Sequence, residues 1–444
     1  MHERERTAGL VSEAAVLVRV VLPNQLFEND PLEELEGLAT TAGTRVIGGL
    51  VQRREKPDAR TFLGRGKVEE LEILAHANAA DVVIFDNDLS PGQTRNLERV
   101  LNTKVLDRTE LILDIFATHA RTYEARLAVE LAQLEYSLPR LKRMWTHLSR
   151  MKLGVGMRGP GEKQLEVDRR LVERRIHDLR SELRGIEKRK ERQVAARDDH
   201  MTVSLVGYTN AGKSTLMNRL TNAEVLVEDK LFATLDTRTR RWQLPHWGPV
   251  LLSDTVGFIR DLPHRLIASF KATLEDARQA DLLLHVADVS NPAILDQITS
   301  VYNVLGELGI QEKDTLLVVN KVDQLDSVAR MESVLHRYPN AVPISARTGA
   351  GMDHLAIVVS DALSQSFRDV DVVTGVENGK LLAFLARHGE VLSKHFDDLQ
   401  VTVHCRIAQK YLGRIEDLTV TITPHAPMPA AGAEQSADTI EDVA

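Results

Sequence analysis

An eight-residue segment from Gly207 to Ser214, which reads GYTNAGKS, limits the possible folds of this chain more than any other feature. It follows a short apolar run over 202–206 and precedes a helical pattern that begins at Thr215. The glycines allow backbone N–H groups to turn inward around phosphates, and the helix behind the loop adds a partial positive charge. The sequence therefore predicts a P-loop, in which Lys213 reaches the β- and γ-phosphates and the Ser214 hydroxyl ligates Mg²⁺.

Three downstream segments narrow this prediction to a guanine-nucleotide site. Asp254 to Gly257 reads DTVG, which offers a carboxylate to Mg²⁺ and the Gly257 N–H to the γ-phosphate. In NKVD, which begins at Asn320, the Asp323 carboxylate can accept from guanine N1–H and the exocyclic amine, whereas adenine would leave it unpaired. The backbone of Ser345 and the next residue can hold the guanine carbonyl. Four motifs in this order predict GTP binding.

The segment between the first two motifs predicts a nucleotide-dependent switch. It reads LFATLD, and Thr234 is the candidate to complete the Mg²⁺ shell only when the γ-phosphate is present, with a surface turn as the alternative. Phe258 follows DTVG, where many regulatory GTPases carry a glutamine that orients the attacking water. Two interpretations remain, a slow enzyme that needs a partner and a GTP-binding protein without turnover. The complete set of phosphate and Mg²⁺ ligands favours the first.

The candidate site residues fall into three groups. The catalytic candidates are Lys213, Thr234 and Gly257, and the candidate metal ligands are Ser214, Thr234 and Asp254. The candidate nucleotide-binding residues come from all five segments and are Gly207, Tyr208, Thr209, Asn210, Ala211, Gly212, Lys213, Ser214, Thr215, Phe232, Ala233, Thr234, Leu235, Asp236, Asp254, Thr255, Val256, Gly257, Asn320, Lys321, Val322, Asp323, Ser345, Ala346 and Arg347.

The residues before this domain predict two further parts. Residues 1–118 alternate β-branched runs, at 16–22, 45–51 and 81–85, with helical patterns at 31–42 and 67–77, which is typical of βαβ units around a small, mostly parallel sheet. Glycines and prolines at 64–67 and 90–92 indicate turns. The first of these turns also resembles a phosphate-binding loop, but it lacks the length and the following Ser or Thr of a P-loop.

Residues 119–199 carry a helical pattern instead. Six leucines and Trp145, between Leu127 and Leu148, recur at alternating spacings of four and three, as in a coiled-coil seam, and Pro139 predicts a kink. A glycine-rich segment at 152–161 interrupts the pattern, and a second seam runs from Val172 to Ile186. The simplest fold is an antiparallel helical hairpin, with two helices packed on a globular core as the alternative.

The charge of the hairpin predicts its partner. Residues 140–197 contain 18 Lys and Arg against 8 Asp and Glu, although the whole chain has a net charge of −8. Some of these charges can form solvated Glu–Arg pairs along a helix, which is the alternative interpretation. Concentrated positive charge on a projecting rod suits folded RNA. The cations that favour an RNA partner are Arg169, Arg170, Arg174, Arg175, Arg150, Lys152, Arg158 and Lys163.

The remaining segments and the composition complete the expected architecture. The G domain spans 200–366, a small α+β domain with a helix at 380–386 and strands at 401–407 and 418–422 spans 367–424, and an acidic tail over 425–444 is expected to be disordered. The single cysteine, Cys405, excludes an intrachain disulfide and a CxxC metal site. We expect an α/β fold without a membrane span or secretory signal, in a soluble, cytoplasmic and monomeric protein.

Taken together, the motifs resemble those of the HflX GTPases over nearly the whole chain. The segments that carry the resemblance are GYTNAGKS, FATLD, DTVGF and NKVD, preceded by FLGRGKVEEL, FDNDLSPGQTRNLE, LAQLEYSLPRL and RGPGEKQLEVDRR. The resemblance implies that the hairpin tip near Gly154–Gly161 contacts rRNA of the large ribosomal subunit, in the peptidyl-transferase region. It also implies GTP-dependent splitting of stalled or stressed ribosomes, with ribosome-stimulated hydrolysis for release.

Two alternatives differ in class from ribosome splitting. One is a GTP-switched ribosome-assembly or RNA-binding factor that does not split ribosomes. The other is an additional ATP-dependent activity of the N-terminal sheet domain, although the sequence contains no second P-loop.

Overall fold

The computed structural model describes the backbone of thirteen segments, which form two compact units, 1–360 and 361–444. The described residues are 13–23, 30–150, 160–195, 201–221, 231–232, 238–245, 248–260, 271–310, 314–325, 327–365, 367–397, 399–415 and 420–425. Within these residues, no helix is long and apolar enough to cross a membrane.

A four-stranded, all-parallel sheet forms the first part of the larger unit, with strand order β2-β1-β3-β4. Strands β1 and β3 are buried along their whole length, because apolar side chains on both faces pack against helices. The elements are β1 (Ala14–Val21), α1 (Glu33–Thr41), β2 (Arg45–Arg53), α2 (Arg65–Ala77), β3 (Val82–Phe85), α3 (Pro91–Leu101), β4 (Lys104–Asp107) and α4 (Arg108–His119). The predicted βαβ arrangement is confirmed, and β4, α3 and α4 are additions to it.

Two segments predicted as turns are instead helix starts. Gly64 is the N-cap of α2, so residues 65–67 are helical. Ser90 is the N-cap of α3: its hydroxyl accepts from the Gln93 N–H, and its own N–H donates to the Gln93 side chain. Pro91 occupies the first helical position, where a missing N–H costs nothing because that N–H has no partner inside the helix. Glycine and proline at these positions begin a helix, and both turn predictions were wrong.

Two long helices follow, α5 (Tyr123–Arg150) and α6 (Pro160–Ala195). Pro139 lies inside α5, which continues through it as one helix. Among the residues of these helices whose burial is described, the buried ones lie at 125–132 and 176–186. These buried residues belong to one core together with the N-terminal sheet and the G domain, so the base of the hairpin also packs on the globular core. The predicted hairpin and its alternative, two helices packed on a globular core, therefore each describe part of this structure. Of the predicted tip at 154–161, residues 154–159 lie outside the described residues.

The G domain contains a six-stranded sheet of order β10-β9-β8-β5-β7-β6, in which only β6 is antiparallel to its neighbour. The P-loop follows β5, DTVG follows β7 and NKVD follows β9, so the motifs meet at the carboxyl edge of the sheet. The elements are β5 (Thr202–Gly207), α7 (Lys213–Thr221), β6 (Arg238–Leu244), β7 (Gly248–Asp254), α8 (Lys271–Gln279), β8 (Leu282–Asp288), α9 (Ile294–Glu307), β9 (Thr315–Asn320), α10 (Val328–Arg337), β10 (Val342–Pro343) and α11 (Met352–Gln365).

The second unit contains a four-stranded antiparallel sheet of order β12-β13-β11-β14. Burial alternates along β13, so one face of the sheet is covered and the other faces solvent. Its elements are β11 (Phe367–Gly375), α12 (Gly379–His388), β12 (Gly389–Asp397), β13 (Gln400–Ala408), α13 (Gln409–Ile415) and β14 (Thr421–Pro424). Residues 426–444, most of the predicted tail, lie outside the described residues, whereas His425 donates its N–H to the Asp369 carbonyl.

Candidate nucleotide-binding site

The loop between β5 and α7 has a backbone that requires glycine at two points. Gly207 has φ +148°, and a Cβ there would lie 2.2 Å from the Val286 carbonyl oxygen. Gly212 has φ +92°, and a Cβ there would lie 2.3 Å from the Asn320 amide nitrogen. Asn210, at φ +61°, takes the left-handed conformation that asparagine tolerates. The loop therefore has the tightly turned backbone that a P-loop needs to direct its N–H groups at phosphates.

Lys213 begins α7 and folds back beneath the loop. Its ammonium donates to the carbonyl oxygens of Gly207 at 3.0 Å and Tyr208 at 2.9 Å, and the residue is buried. Burial lowers the pKa of Lys213 to about 8, although Asp254 opposes the shift. Nucleotide phosphates would add negative charge beside this ammonium and favour its charged form. The two hydrogen bonds thus fix the Lys213 ammonium beneath the loop.

The two predicted metal ligands that the structure describes are in contact. The Ser214 hydroxyl donates to Asp254 Oδ2 at 2.6 Å, although α7 and β7 supply them from distant parts of the chain. A hydroxyl and a carboxylate are the oxygen ligands that Mg²⁺ prefers beside phosphate oxygens. The donor set therefore fits Mg²⁺. The third candidate ligand, Thr234, lies outside the described residues together with Ala233, Leu235 and Asp236.

The segment after β7 lies directly on the P-loop. The Phe258 N–H donates to the Gly207 carbonyl at 3.0 Å, and the Thr209 N–H donates to the Phe258 carbonyl at 2.7 Å. A Cβ on Gly257 would lie 2.7 Å from Thr209 Cγ2 and 3.1 Å from Lys213 Nζ, so only glycine fits there. The Phe258 side chain is buried in the apolar core. Neither its chemistry nor its position suits it to orient an attacking water.

Thr209 is a polar residue of the P-loop, and its side chain lies beside Gly257. Its side chain is buried, and within the described parts of the chain its hydroxyl has no hydrogen-bond partner. A buried hydroxyl without a partner costs free energy unless a ligand or water satisfies it. This supports the prediction that Thr209 belongs to the nucleotide site.

The base-recognition segments are linked to the P-loop through Asn320. Its amide donates to the Ala211 carbonyl at 2.8 Å and accepts from the Ala346 N–H at 2.9 Å. Asp323 is exposed, and it accepts from the Ser345 hydroxyl at 2.6 Å, which orients the carboxylate. The Asn320 side chain thus links its own loop to the P-loop and to the segment at Ala346. The Asp323 carboxylate stays accessible to a base.

The other predicted residues take varied positions. Lys321 has φ +65° and pairs with Asp288 at 2.7 Å, and the Val322 N–H donates to the Ile344 carbonyl. Thr255 donates to the Leu205 carbonyl, Val256 is buried, and Arg347 is exposed. Phe232 departs from its predicted place beside the nucleotide, because its buried ring packs edge-to-face on Phe116 of α4 at 4.6 Å. In this structure Phe232 is a core residue.

A largely buried ion cluster beside the P-loop was not predicted. Arg108 pairs with Glu34 at 2.7 Å and with Asp86 at 2.5 Å, and Arg19 pairs with Asp86 at 2.7 Å. All four residues belong to the N-terminal sheet domain. Burial alone would raise the pKa of Glu34, but Arg108 and its neighbours hold that pKa below its ordinary value. The only hint in the sequence is an arginine inside the otherwise apolar strand AAVLVRVV, which needs a buried partner.

The G domain contributes two residues to this ion cluster. The Tyr208 hydroxyl, from the P-loop, donates to Glu34 at 2.8 Å and accepts from the Arg260 N–H at 2.7 Å. Arg260, three residues after Gly257, pairs with Glu34 at 3.1 Å, and its carbonyl accepts from Arg108 at 3.1 Å. Residues next to the phosphate site are thus hydrogen-bonded to the N-terminal sheet domain.

A P-loop that closes on DTVG, with an accessible carboxylate in NKVD, defines the class of this protein as a P-loop GTPase. Comparisons with known proteins carry the assignment further. Family models match 29–117 as the N-terminal region of a GTP-binding GTPase, 119–197 as its middle region and 202–321 as a 50S ribosome-binding GTPase. GTPase HflX of Escherichia coli is 49% identical over 355 residues, which cover 79% of this chain and 83% of that protein.

Other relatives agree. GTPase HflX of Magnetococcus marinus is 46% identical over 388 residues, covering 87% of this chain and 90% of that protein. The chain belongs to the HflX family of GTPases; it binds GTP and GDP and hydrolyses GTP. Among solved structures, a GTP-binding protein of the archaeon Sulfolobus solfataricus in complex with GDP is similar with a TM-score of 0.42 and 24% identity, covering 80% of this chain and 99% of that one.

Proposed function

We propose that this chain is a ribosome-dependent GTPase that binds the large ribosomal subunit through the α5–α6 hairpin and splits or rescues stalled ribosomes. The observation that carries the proposal is the ion cluster formed by Arg19, Glu34, Asp86, Arg108, Tyr208 and Arg260. Through it, the loops that contact the nucleotide are bonded to the domain that precedes the hairpin. The match to a 50S ribosome-binding GTPase model and the HflX relatives support the choice of partner.

The described part of the hairpin supports an RNA partner, although some of its arginines form ion pairs between the two helices. Arg175 pairs with Glu130 and Arg180 pairs with Glu135, both across the two helices, so these arginines help to hold α5 and α6 together. Arg170 and Arg174 are exposed on α6. Phosphate contacts from exposed cations give affinity with little sequence preference, which suits binding to folded rRNA. The side chains of the glycine-rich tip lie outside the described residues, and their contact with the peptidyl-transferase region is part of the proposal.

Nucleotide coupling follows from the position of Gly257. In the proposed GTP state the Gly257 N–H binds the γ-phosphate, and Thr234 joins Ser214 and Asp254 around Mg²⁺. Arg260 lies three residues further on, so a shift of this segment alters its bonds to Glu34, Asp86 and Tyr208. The third phosphate thereby changes how the N-terminal domain and its hairpin are held.

Hydrolysis is proposed to depend on the ribosome. Lys213 lies where it can neutralise negative charge that develops on the phosphates, and Asp323 selects guanine. Because Phe258 is buried and apolar, the chain supplies no glutamine to orient water at this position. A partner that orients the water or adds a positive charge can raise the rate of hydrolysis by about 10³–10⁵-fold. Without the partner the GTP-bound state persists, and with it the protein converts to the GDP-bound state.

Sedimentation of assembled ribosomes with the protein tests this function. With a non-hydrolysable GTP analogue, the proposal expects conversion of assembled ribosomes to free subunits, and with GDP it expects none. An assembly or RNA-binding factor would instead bind free subunits and leave assembled ribosomes intact. In separate samples that contain GTP, purified large subunits should stimulate GTP hydrolysis; binding without stimulation would contradict the proposed dependence on the ribosome.

A further inference from the structure

The second unit carries two histidines and two carboxylates on the solvent-facing side of its sheet. Asp369 and Asp371 lie two residues apart on β11 and therefore share a face. His404 on β13 is the register partner of Asp371, and His425 follows β14. One ligand atom from each of Asp371, His404 and His425 lies within 4.8 Å of the others. Three strands thus bring metal-binding side chains to one point.

The hydrogen bonds of this His–Asp cluster determine which ring nitrogens are free to bind a metal. His404 Nε2 lies 2.6 Å from Asp369 Oδ1, and His425 Nδ1 lies 2.8 Å from Asp371 Oδ2. An ionised carboxylate only accepts, so each ring donates to it, and the other nitrogen of a neutral ring carries a lone pair. Histidines that bind metals commonly hold an outer carboxylate in this way. Asp369 suits that role toward His404 and leaves His404 Nδ1 for a metal ion. His425 Nδ1 and Asp371 Oδ2, 2.8 Å apart, are close enough to bind one ion together once it displaces the proton between them.

The charges of the His–Asp cluster favour a divalent cation. The two imidazole rings stack at 3.6 Å between centroids and 14° between planes. Asp369 and Asp371 both lie against these rings. Arg406 is the register partner of Asp369 on β13 and brings a positive charge to that side of the cluster. Asp371, the register partner of His404, is the carboxylate placed to bind a cation together with the two rings.

We propose that Asp371, His404 and His425 bind a divalent transition-metal ion of the class of Zn²⁺, with Asp369 orienting His404. Two imidazoles and a carboxylate suit Zn²⁺, whereas Mg²⁺ and Ca²⁺ prefer oxygen ligands. Three protein ligands leave a fourth position for water. The ion would join β11 and β13 to the end of β14, a four-residue strand at the edge of the sheet, and so hold that strand in place.

A competitive Zn²⁺ titration tests the site. The full-length protein, free of any histidine tag and stripped of metal, is first saturated with GDP and Mg²⁺ and then titrated against a chromophoric chelator. We expect one tight equivalent of Zn²⁺ that Mg²⁺ and Ca²⁺ do not displace. His404→Ala with His425→Ala should weaken this binding by about 100-fold or more, and Asp369→Asn by about 10-fold, as for other outer ligands. His354→Ala, which changes an exposed histidine of the first unit, should leave it unchanged.

Thermal unfolding provides the second readout. Zn²⁺ should raise the melting temperature of the wild type and of His354→Ala, and it should not raise that of the double histidine variant, since a ligand that binds the folded state stabilises it. Circular dichroism establishes that each variant is folded. The proposal is overturned if the folded double variant keeps the tight equivalent, or if the folded wild type binds no stoichiometric Zn²⁺.

Discussion

Lys213 shows most directly how a single residue prepares the nucleotide site. Its ammonium is buried under the loop and bonded to two carbonyl oxygens, and burial lowers its pKa to about 8. Bound phosphates favour the charged form, so the pKa rises when nucleotide binds. Near and above pH 8 the free protein must therefore take up protons as it binds.

Proton uptake on GDP binding tests this role of Lys213. At pH 8 the ammonium of the free protein is about half protonated, and we expect uptake of about half a proton per GDP, falling to about a tenth at pH 7. Calorimetry in buffers of different ionisation enthalpy measures the uptake. No uptake at pH 8 would mean that Lys213 is fully charged before nucleotide binds.

Asp323→Asn tests base recognition. The amide nitrogen of asparagine cannot accept from guanine N1–H and the exocyclic amine, and mismatches of this kind cost about 10⁴-fold or more when buried. We expect a large loss of GTP affinity and a gain for xanthosine triphosphate, which has a carbonyl where guanine has the amine. Binding titrations with both nucleotides measure the exchange. Retained GTP preference in the variant would place base recognition elsewhere.

Among single residues, those that share a ligand could be predicted and those that pair across domains could not. Ser214 and Asp254 were expected to share one Mg²⁺ ion, and the structure brings them into contact. Tyr208 and Glu34 are 174 residues apart, and their contact depends on how the sheet domain packs on the P-loop. A local sequence pattern cannot predict a contact between residues so far apart in the chain.

At the scale of elements, the helices α5 and α6 carry most of the proposed function. Their cross-helix pairs, Arg175 with Glu130 and Arg180 with Glu135, are partly exposed and stabilise the hairpin only modestly, by about 0–1 kcal/mol each. The buried seam holds the base of the hairpin. Exposed cations on α6 can therefore be changed without unfolding it.

Arg169→Glu with Arg170→Glu tests whether α6 contacts RNA. We expect weaker binding to large subunits, with GDP affinity unchanged, and a salt slope that falls by about one for each phosphate that α6 no longer neutralises. Arg65→Glu with Lys67→Glu is the matched control, because it changes the net charge by the same amount and Arg65 pairs with Glu69 on α2 in the same i,i+4 geometry as Arg169 with Glu173. An unchanged salt slope in the α6 double variant would place the RNA-binding surface elsewhere on the protein.

Elements with a long, regular pattern could be predicted, and short ones beside glycine or proline could not. The two apolar seams predicted both long helices, because the period repeats over many turns. Helix α3 was missed because its first residues, Ser90, Pro91 and Gly92, are also turn residues. The capping box of Ser90 and Gln93 favours a helix start over a turn, since it supplies hydrogen-bond acceptors to N–H groups that have no partner inside the helix. Strand β4 has only four residues, too few to show alternation.

At the scale of the whole molecule, the central feature is the ion cluster within the first unit that joins the nucleotide loops to the sheet domain. Removing one partner of a buried ion pair leaves an uncompensated charge and costs about 3–5 kcal/mol. Removal of the Tyr208 hydroxyl should destabilise the fold less, because Glu34 keeps its ion pairs with Arg108 and Arg260.

Tyr208→Phe tests whether the ion cluster transmits the nucleotide state. The backbone of the P-loop is unchanged, so we expect GDP affinity within a few-fold of wild type. The gain in large-subunit affinity between GDP and a non-hydrolysable GTP analogue should shrink by several-fold. Tyr302→Phe, on α9 of the same domain, is the control and should behave as wild type. A full nucleotide effect in Tyr208→Phe would show that coupling runs by another route.

The affinity of the wild-type protein for isolated large subunits, measured with GDP and with a non-hydrolysable GTP analogue, tests the central claim most directly. A typical coupling free energy of about 1–3 kcal/mol corresponds to about 5–150-fold, and we expect tighter binding with the analogue within that range. By linkage, large subunits should raise the affinity for the analogue relative to GDP by the same factor. Equal affinity with both nucleotides would contradict the account.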